Sequence, residues 1–176
     1  MSGPRRIALL GAECTGKTTL AIALAGQLPG LWLPERLREF CDEAGRTPRA
    51  DEQAGLLAGQ VERERQGLAL ATARGLGWVL SDSTPLATAL YSAELFGDES
   101  LIAQAIEHQR GYALTLLADI DLPWEPDGIQ RDGPQARAAF HSRLRRTLIA
   151  HAIAHVTVSG DHARHVATAL AAVRHV

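Results

Sequence analysis

Lysine is nearly absent from this sequence. Of its 18 basic residues one is a lysine, Lys17, and all the others are arginines. A chain that uses arginine everywhere else keeps a lysine where a compact ammonium on a slim stem is required and a planar guanidinium fails. Cysteine is scarce too. Cys14 and Cys41 lie in unrelated contexts, which excludes a disulfide framework or a cysteine metal cluster and fits a reducing, cytoplasmic setting. No run approaches the roughly 18 apolar residues of a membrane helix, so a soluble protein is expected. The net charge of -2 supplies no basic field, which removes support for nucleic-acid or anionic-membrane binding and leaves room for a local phosphate site. Repeats and low-complexity segments are also missing.

What is present has the size of one domain. A chain of 176 residues with 46% hydrophobic content can build one buried core, and residues 1–176 read as a single unit. Ile7 to Leu10 form an apolar run stopped by Gly11, and apolar residues at helical spacing follow from Thr18 to Leu28. Leu31-Trp32-Leu33 is a second strand, ended by Pro34 and followed by a helix from Glu35 to Glu43. Pro48 to Arg74 reads as one long helix. Trp78-Val79-Leu80 predicts a third strand ending at Asp82, with a helix from Pro85. A helix over Leu101 to Arg110 and a strand over Tyr112 to Ala118 lead into a proline-rich, acidic loop, and residues 119–137 are expected to act as a lid. Gln135 to Ala150 reads as helix, Val156 to Ser159 as strand, and His162 to Val173 as a closing helix. Strands alternating with helices predict a parallel sheet covered on both faces, with ligands at the carboxyl ends of the strands. Gly11, Glu35, Asp82 and the segment from Asp119 to Asp127 all fall on that edge.

The first of these turns reads Gly11-Ala12-Glu13-Cys14-Thr15-Gly16-Lys17-Thr18, a complete G-x-x-x-x-G-K-[ST] pattern. Its glycines let backbone N–H groups wrap phosphate oxygens, and the following helix points its positive end at them. Glu13, Cys14, Thr15 and Thr19 belong to the same nucleotide-binding loop and helix start, and Cys14 reads as structural. Lys17 is expected to reach the β- and γ-phosphates of ATP, and Thr18 to offer its hydroxyl to Mg²⁺. Asp82, at a strand end, either holds Mg²⁺, takes a proton from a substrate hydroxyl, or caps the helix beyond Pro85. Glu35 and Arg38 lie one turn apart at the mouth, as an acceptor-side base and phosphate contact or as a plain surface pair. Arg131 and Arg137 are candidate lid arginines, and Trp124 either stacks on a ring or anchors the loop. His151 and His155, like His162 and His165, have metal-compatible spacing but no partner to complete a site. A guanine-reading Asn/Thr-Lys-x-Asp segment is impossible in a chain with one lysine, so ATP follows by elimination.

Five segments together resemble the ribosylnicotinamide kinase domain of bifunctional NadR proteins, a group of NadR-like P-loop ATPases. They are Gly11 to Leu20, Pro34-Glu35-x-x-Arg38-Glu39-Phe40, Gln60, Asp82-x-Thr84-Pro85-Leu86-x-Thr88, and Trp124-x-x-Asp127-Gly128-x-x-Arg131. The resemblance implies a three-layer α/β P-loop sandwich around about five parallel strands. It also implies transfer of the γ-phosphate of ATP, with Mg²⁺, to the 5′-hydroxyl of nicotinamide riboside to give nicotinamide mononucleotide. By the same analogy Glu35 and Asp82 serve the ribose side and the metal, and Arg38 and the lid arginines serve phosphates. Trp124, Gln60, Thr84 and Asp127 then fall on the nucleoside side. The likeness covers the kinase portion alone, so adenylylation and repression are not expected. Where the family pattern calls for an arginine directly after the apolar lid residue, this chain has Ile129-Gln130-Arg131, which displaces the basic contact to Arg131. Two other readings fit the loop: a kinase for another nucleoside or small alcohol, or a nucleotide-dependent switch.

Overall fold

The computed structural model describes residues 3–125 and 133–176. Five strands, β1 (Arg5–Leu10), β2 (Gly30–Leu33), β3 (Trp78–Asp82), β4 (Leu114–Ala118) and β5 (Val156–Val158), form one sheet in the order β2-β3-β1-β4-β5. Every neighbouring pair is parallel. Parallel neighbours need crossovers, and among the described residues seven helices supply them: α1 (Lys17–Gln27), α2 (Arg36–Ala44), α3 (Gln53–Ala73), α4 (Pro85–Phe96), α5 (Ile102–Gln109), α6 (Pro134–Ala150) and α7 (His162–Val173).

Alternation along the strands sorts the core into two layers. Ile7 and Leu9 of β1 and Leu114 and Leu116 of β4 pack with Leu20 and Leu24 of α1 and Ala169 of α7 on one face. Leu10 and Leu117 point the other way, onto Leu86 and Leu90 of α4 and Phe140 and Leu144 of α6. A sheet buried on both sides explains why β3 and β4 are buried along their whole length. The expected three-layer α/β architecture with a five-stranded parallel sheet is therefore present. Among the described residues no helix is long and apolar enough to cross a membrane.

Most boundaries fall within a residue of the sequence reading, and two element starts are later by more than that. The long helix starts at Gln53, not near Pro48, because residues 50–52 make a separate 3-10 turn. Glu52 holds that turn by accepting from the Arg49 backbone N–H at 2.7 Å and from both terminal nitrogens of Arg46 at 2.7 Å. The fourth strand starts at Leu114, not Tyr112, since the Tyr112 N–H closes the turn after α5 on the Gln109 carbonyl at 3.3 Å, while its side chain reaches a buried carboxylate.

That carboxylate is Glu64 of α3, 1% exposed. It accepts from Arg6 at 3.0 Å and from the Tyr112 hydroxyl at 2.5 Å, and it lies 2.8 Å from His108 Nε2. Burial pushes its pKa upward, but the contacts with His108 and Tyr112 and the charge of Arg6 outweigh that and hold it below 4.5. Its contribution to stability is accordingly present at neutral pH and lost as pH falls below the ordinary carboxylate range. Glu64→Ala strips the shared carboxylate from four buried or half-buried partners, Arg6, Gln60, His108 and Tyr112, and is expected to cost about 3 kcal/mol, measured by urea denaturation at pH 7.

Candidate active site

The turn after β1 is shaped by its glycines. A Cβ at Gly11 would meet the Ala118 carbonyl and Thr15 Oγ1 at 2.9 Å each, and Gly16 sits at φ +76° with α1 starting on the next residue. The first turn of α1 has no side-chain cap and no acidic residue, so its N–H groups face an anion site unopposed. Thr15 Oγ1 donates to the Ala12 carbonyl at 2.8 Å and Lys17 Nζ to the same carbonyl at 2.6 Å, so the lysine lies folded along the loop.

The β1–β3 register sets Leu9 opposite Asp82, which brings the third strand's last residue beside the start of α1. Thr18 Oγ1 donates to Asp82 Oδ2 at 2.6 Å. Asp82 is 1% exposed and its Oδ1 has no hydrogen-bond partner. A buried carboxylate oxygen left unpartnered next to a threonine hydroxyl is the donor set a hard divalent cation takes, so these residues fit Mg²⁺.

Glu35 is the N-cap of α2 by position, but its side chain does not cap the helix. The carboxyl turns into the cleft beside Ser83, Lys17, Asp82 and Arg38. The residue is partly buried, and the groups around its carboxyl displace part of its hydration. Desolvation raises its pKa above 4.5 most strongly, the Lys17 charge opposes this, Asp82 adds to it, and Arg38 opposes it.

Lys17, Thr18, Glu35, Arg38 and Ser83 line one cleft of about 740 Å³, with Asp82 buried behind Thr18. Its walls include the Gly11–Thr19 turn, Arg38 and Asp42 of α2, Gln53 of α3 and Tyr91 of α4. Gln53 and Tyr91 were not singled out from sequence. Gln53 is 3% exposed, with its Nε2 donating to the Arg49 carbonyl at 3.3 Å. Tyr91 stacks on Phe140 with ring centroids 3.9 Å apart. A helix phase continued back from Gln60 reaches Gln53 on the same face, which is the one sequence signal that points to it.

Three expected nucleoside contacts are held elsewhere. Gln60 donates to Glu64 Oε1 at 3.4 Å and does not line the cleft, since seven residues of α3 carry it about 10 Å from Gln53. Thr84 is 1% exposed and donates to Gln109 Oε1 at 2.7 Å. Trp124 Nε1 donates to Glu13 Oε1 at 3.0 Å, so it fastens the loop after β4 to the phosphate turn. Arg137 joins the same two loops: its Nη2 donates to the carbonyls of Leu122 at 2.8 Å and Cys14 at 3.2 Å. The Cys14 thiol donates to the Glu125 carbonyl at 3.4 Å. Asp127 and Arg131 lie outside the described residues.

No curated protein matches this sequence. Solved structures do. NadR protein in complex with NR superposes over 98% of this chain and 51% of its own, with TM-score 0.75 and 22% identity. NadR in complex with NAD and AMP-PNP gives TM-score 0.76, also at 22% identity, over 98% of this chain and 49% of its own. Thymidylate kinase from Ehrlichia chaffeensis superposes over 98% of both chains with TM-score 0.62 and 17% identity. The chain thus spans about half the length of the NadR structures and shares the P-loop kinase fold with all three. A family model described as AAA domain matches residues 6–165, and the chain belongs to that family.

Proposed function

We propose that the chain is an ATP-dependent kinase that phosphorylates the 5′-hydroxyl of nicotinamide riboside, giving nicotinamide mononucleotide. One observation carries the phosphoryl-transfer part of this reading. Thr18, the single lysine and Glu35 line one cleft together with polar and aromatic side chains, and Asp82 is hydrogen-bonded to Thr18 behind that lining. The riboside as acceptor rests on the motifs shared with NadR and on the likeness to NadR in complex with NR.

In this mechanism the N–H groups of the 11–18 turn and Lys17 hold the β- and γ-phosphates, Lys17 exchanging the Ala12 carbonyl for phosphate oxygen. Thr18 and Asp82 would hold Mg²⁺, which would supply charge neutralisation on the phosphates. Asp82 is committed to Thr18 through one oxygen, which leaves Glu35 as the proton acceptor. The 5′-hydroxyl oxygen bonds to the γ-phosphorus, the bond from that phosphorus to the β–γ bridging oxygen breaks, ADP leaves, and the hydroxyl proton passes to Glu35. The cleft walls contribute mainly position and exclusion of water.

The test is ADP release from Mg²⁺-ATP in the presence of nicotinamide riboside, deoxyadenosine, thymidine and thymidine monophosphate, each offered separately. Release that depends on nicotinamide riboside, with stoichiometric mononucleotide formed, is expected. Dependence on another member of the panel transfers the activity to that acceptor, and release indifferent to all of them overturns the kinase reading in favour of a nucleotide switch.

A further inference from the structure

α2 carries both Glu35, at its entrance, and Arg38, yet the core hardly grips it. Cys41 is its one buried residue. What does hold its first turn is a guanidinium from another helix. Arg63, on α3, donates to Glu39 Oε1 at 2.7 Å and to Glu39 Oε2 at 2.5 Å, a two-pronged pairing across 24 residues of sequence. The Arg63 Nη1 that meets Glu39 also donates to the carbonyl of Pro34 at 3.1 Å. One guanidinium thus grips the residue before Glu35 and the residue four after it. Glu35 and Glu39 are themselves joined, since the Glu39 N–H donates to the Glu35 carbonyl at 3.4 Å.

Exposed ion pairs contribute little, and this chain has several local ones, such as Arg65 with Glu62 at 2.7 Å on the α3 surface. The Arg63–Glu39 pair differs in kind. It is bidentate and half-buried, links two elements, and takes a main-chain carbonyl as a third partner. A second arginine, Arg36, reaches Glu39 at 3.4 Å and adds charge without a fork.

We propose that Arg63 and Glu39 are positioning residues, a clamp that sets the entrance of α2 so that Glu35 faces the Thr18–Asp82 pair across the cleft. The proposal rests on the reading of Glu35 as proton acceptor. Neither residue lines the cleft, so their effect passes through α2.

The experiment measures kcat and KM for ATP and nicotinamide riboside in Arg63→Gln, Arg63→Lys, Glu39→Gln and the Arg63→Gln/Glu39→Gln pair. Arg63→Gln should lower kcat by roughly 10-fold to 100-fold, the scale of small misplacements of a reacting group, while KM for ATP stays within about twofold. Arg63→Lys keeps the charge but not the fork and recovers only part of the loss. The double variant should be no slower than the worse single, because both remove one clamp. Unchanged kcat, equal losses in kcat and ATP binding, or multiplicative losses in the double variant overturn the clamp.

A second readout needs no turnover: amide hydrogen exchange over residues 35–44. A clamp that holds the entrance of α2 predicts exchange at least about 10-fold faster there in Arg63→Gln, with β1 and β4 unchanged. Unchanged exchange in α2, or equal acceleration across the sheet, overturns the clamp. Full kcat in Glu35→Gln rejects Glu35 as proton acceptor and leaves this exchange still deciding the clamp.

Discussion

Lys17→Ala lowers kcat/KM by about 10³-fold or more and leaves the melting temperature almost unchanged. The scale is that of removing one preorganised donor aimed at developing charge on the reacting group. The fold should survive because Lys17 Nζ bonds to the Ala12 carbonyl, which Thr15 also satisfies, so no buried acceptor is stranded. Lys17→Arg is the sharper variant. In a chain whose other basic residues are all arginine, arginine still fails at this place if the turn admits only a slim ammonium. Steady-state kinetics beside a thermal melt checks both, and an active Lys17→Arg would show that charge alone suffices.

Glu35→Gln slows kcat by about 10²-fold to 10⁴-fold, the range for losing a general base, and removes the acid limb of the pH–rate profile. The wild-type limb should lie above the ordinary glutamate value of 4.5, since enclosure raises the Glu35 pKa and the base works only when ionised. Stability should move the opposite way from activity. In the window between 4.5 and the raised value, the folded state holds the Glu35 proton more tightly than the unfolded chain does, so stability falls as pH rises through it. At pH 7 the native protein carries an enclosed charge that Gln lacks. Glu35→Gln is therefore expected to melt higher than wild type at pH 7, with the gap closing below pH 4.5. A variant that is slow but no more stable would place the carboxyl in bulk solvent.

Much of the fold was legible because buried parallel strands write themselves as short apolar runs. Ile7 to Leu10 and Trp78 to Leu80 appear in the structure where the runs predict them. The start of α3 was not legible, since Glu52 overrules the helix-forming composition of 48–52 by local hydrogen bonds that no periodicity records. At the site, the phosphate turn and Asp82 were readable from strand ends and glycine spacing. Gln53 and Tyr91 were not, because a pocket wall is assembled from three helices whose relative rotation no single segment encodes. Gln60 and Thr84 show the converse: the motif reading put them on the nucleoside side, but one bonds to Glu64 and the other to Gln109, within the packing behind the cleft.

The contact between Lys17 and the Ala12 carbonyl bears on nucleotide affinity as well as catalysis. Freezing a lysine side chain costs up to about 2 kcal/mol of rotamer entropy. Here the stem is already ordered along the loop, so that cost falls on folding, and an arriving phosphate needs only to replace a neutral oxygen with a charged one. A turn built this way binds by exchange of acceptors, and its affinity is set by the difference between two oxygens.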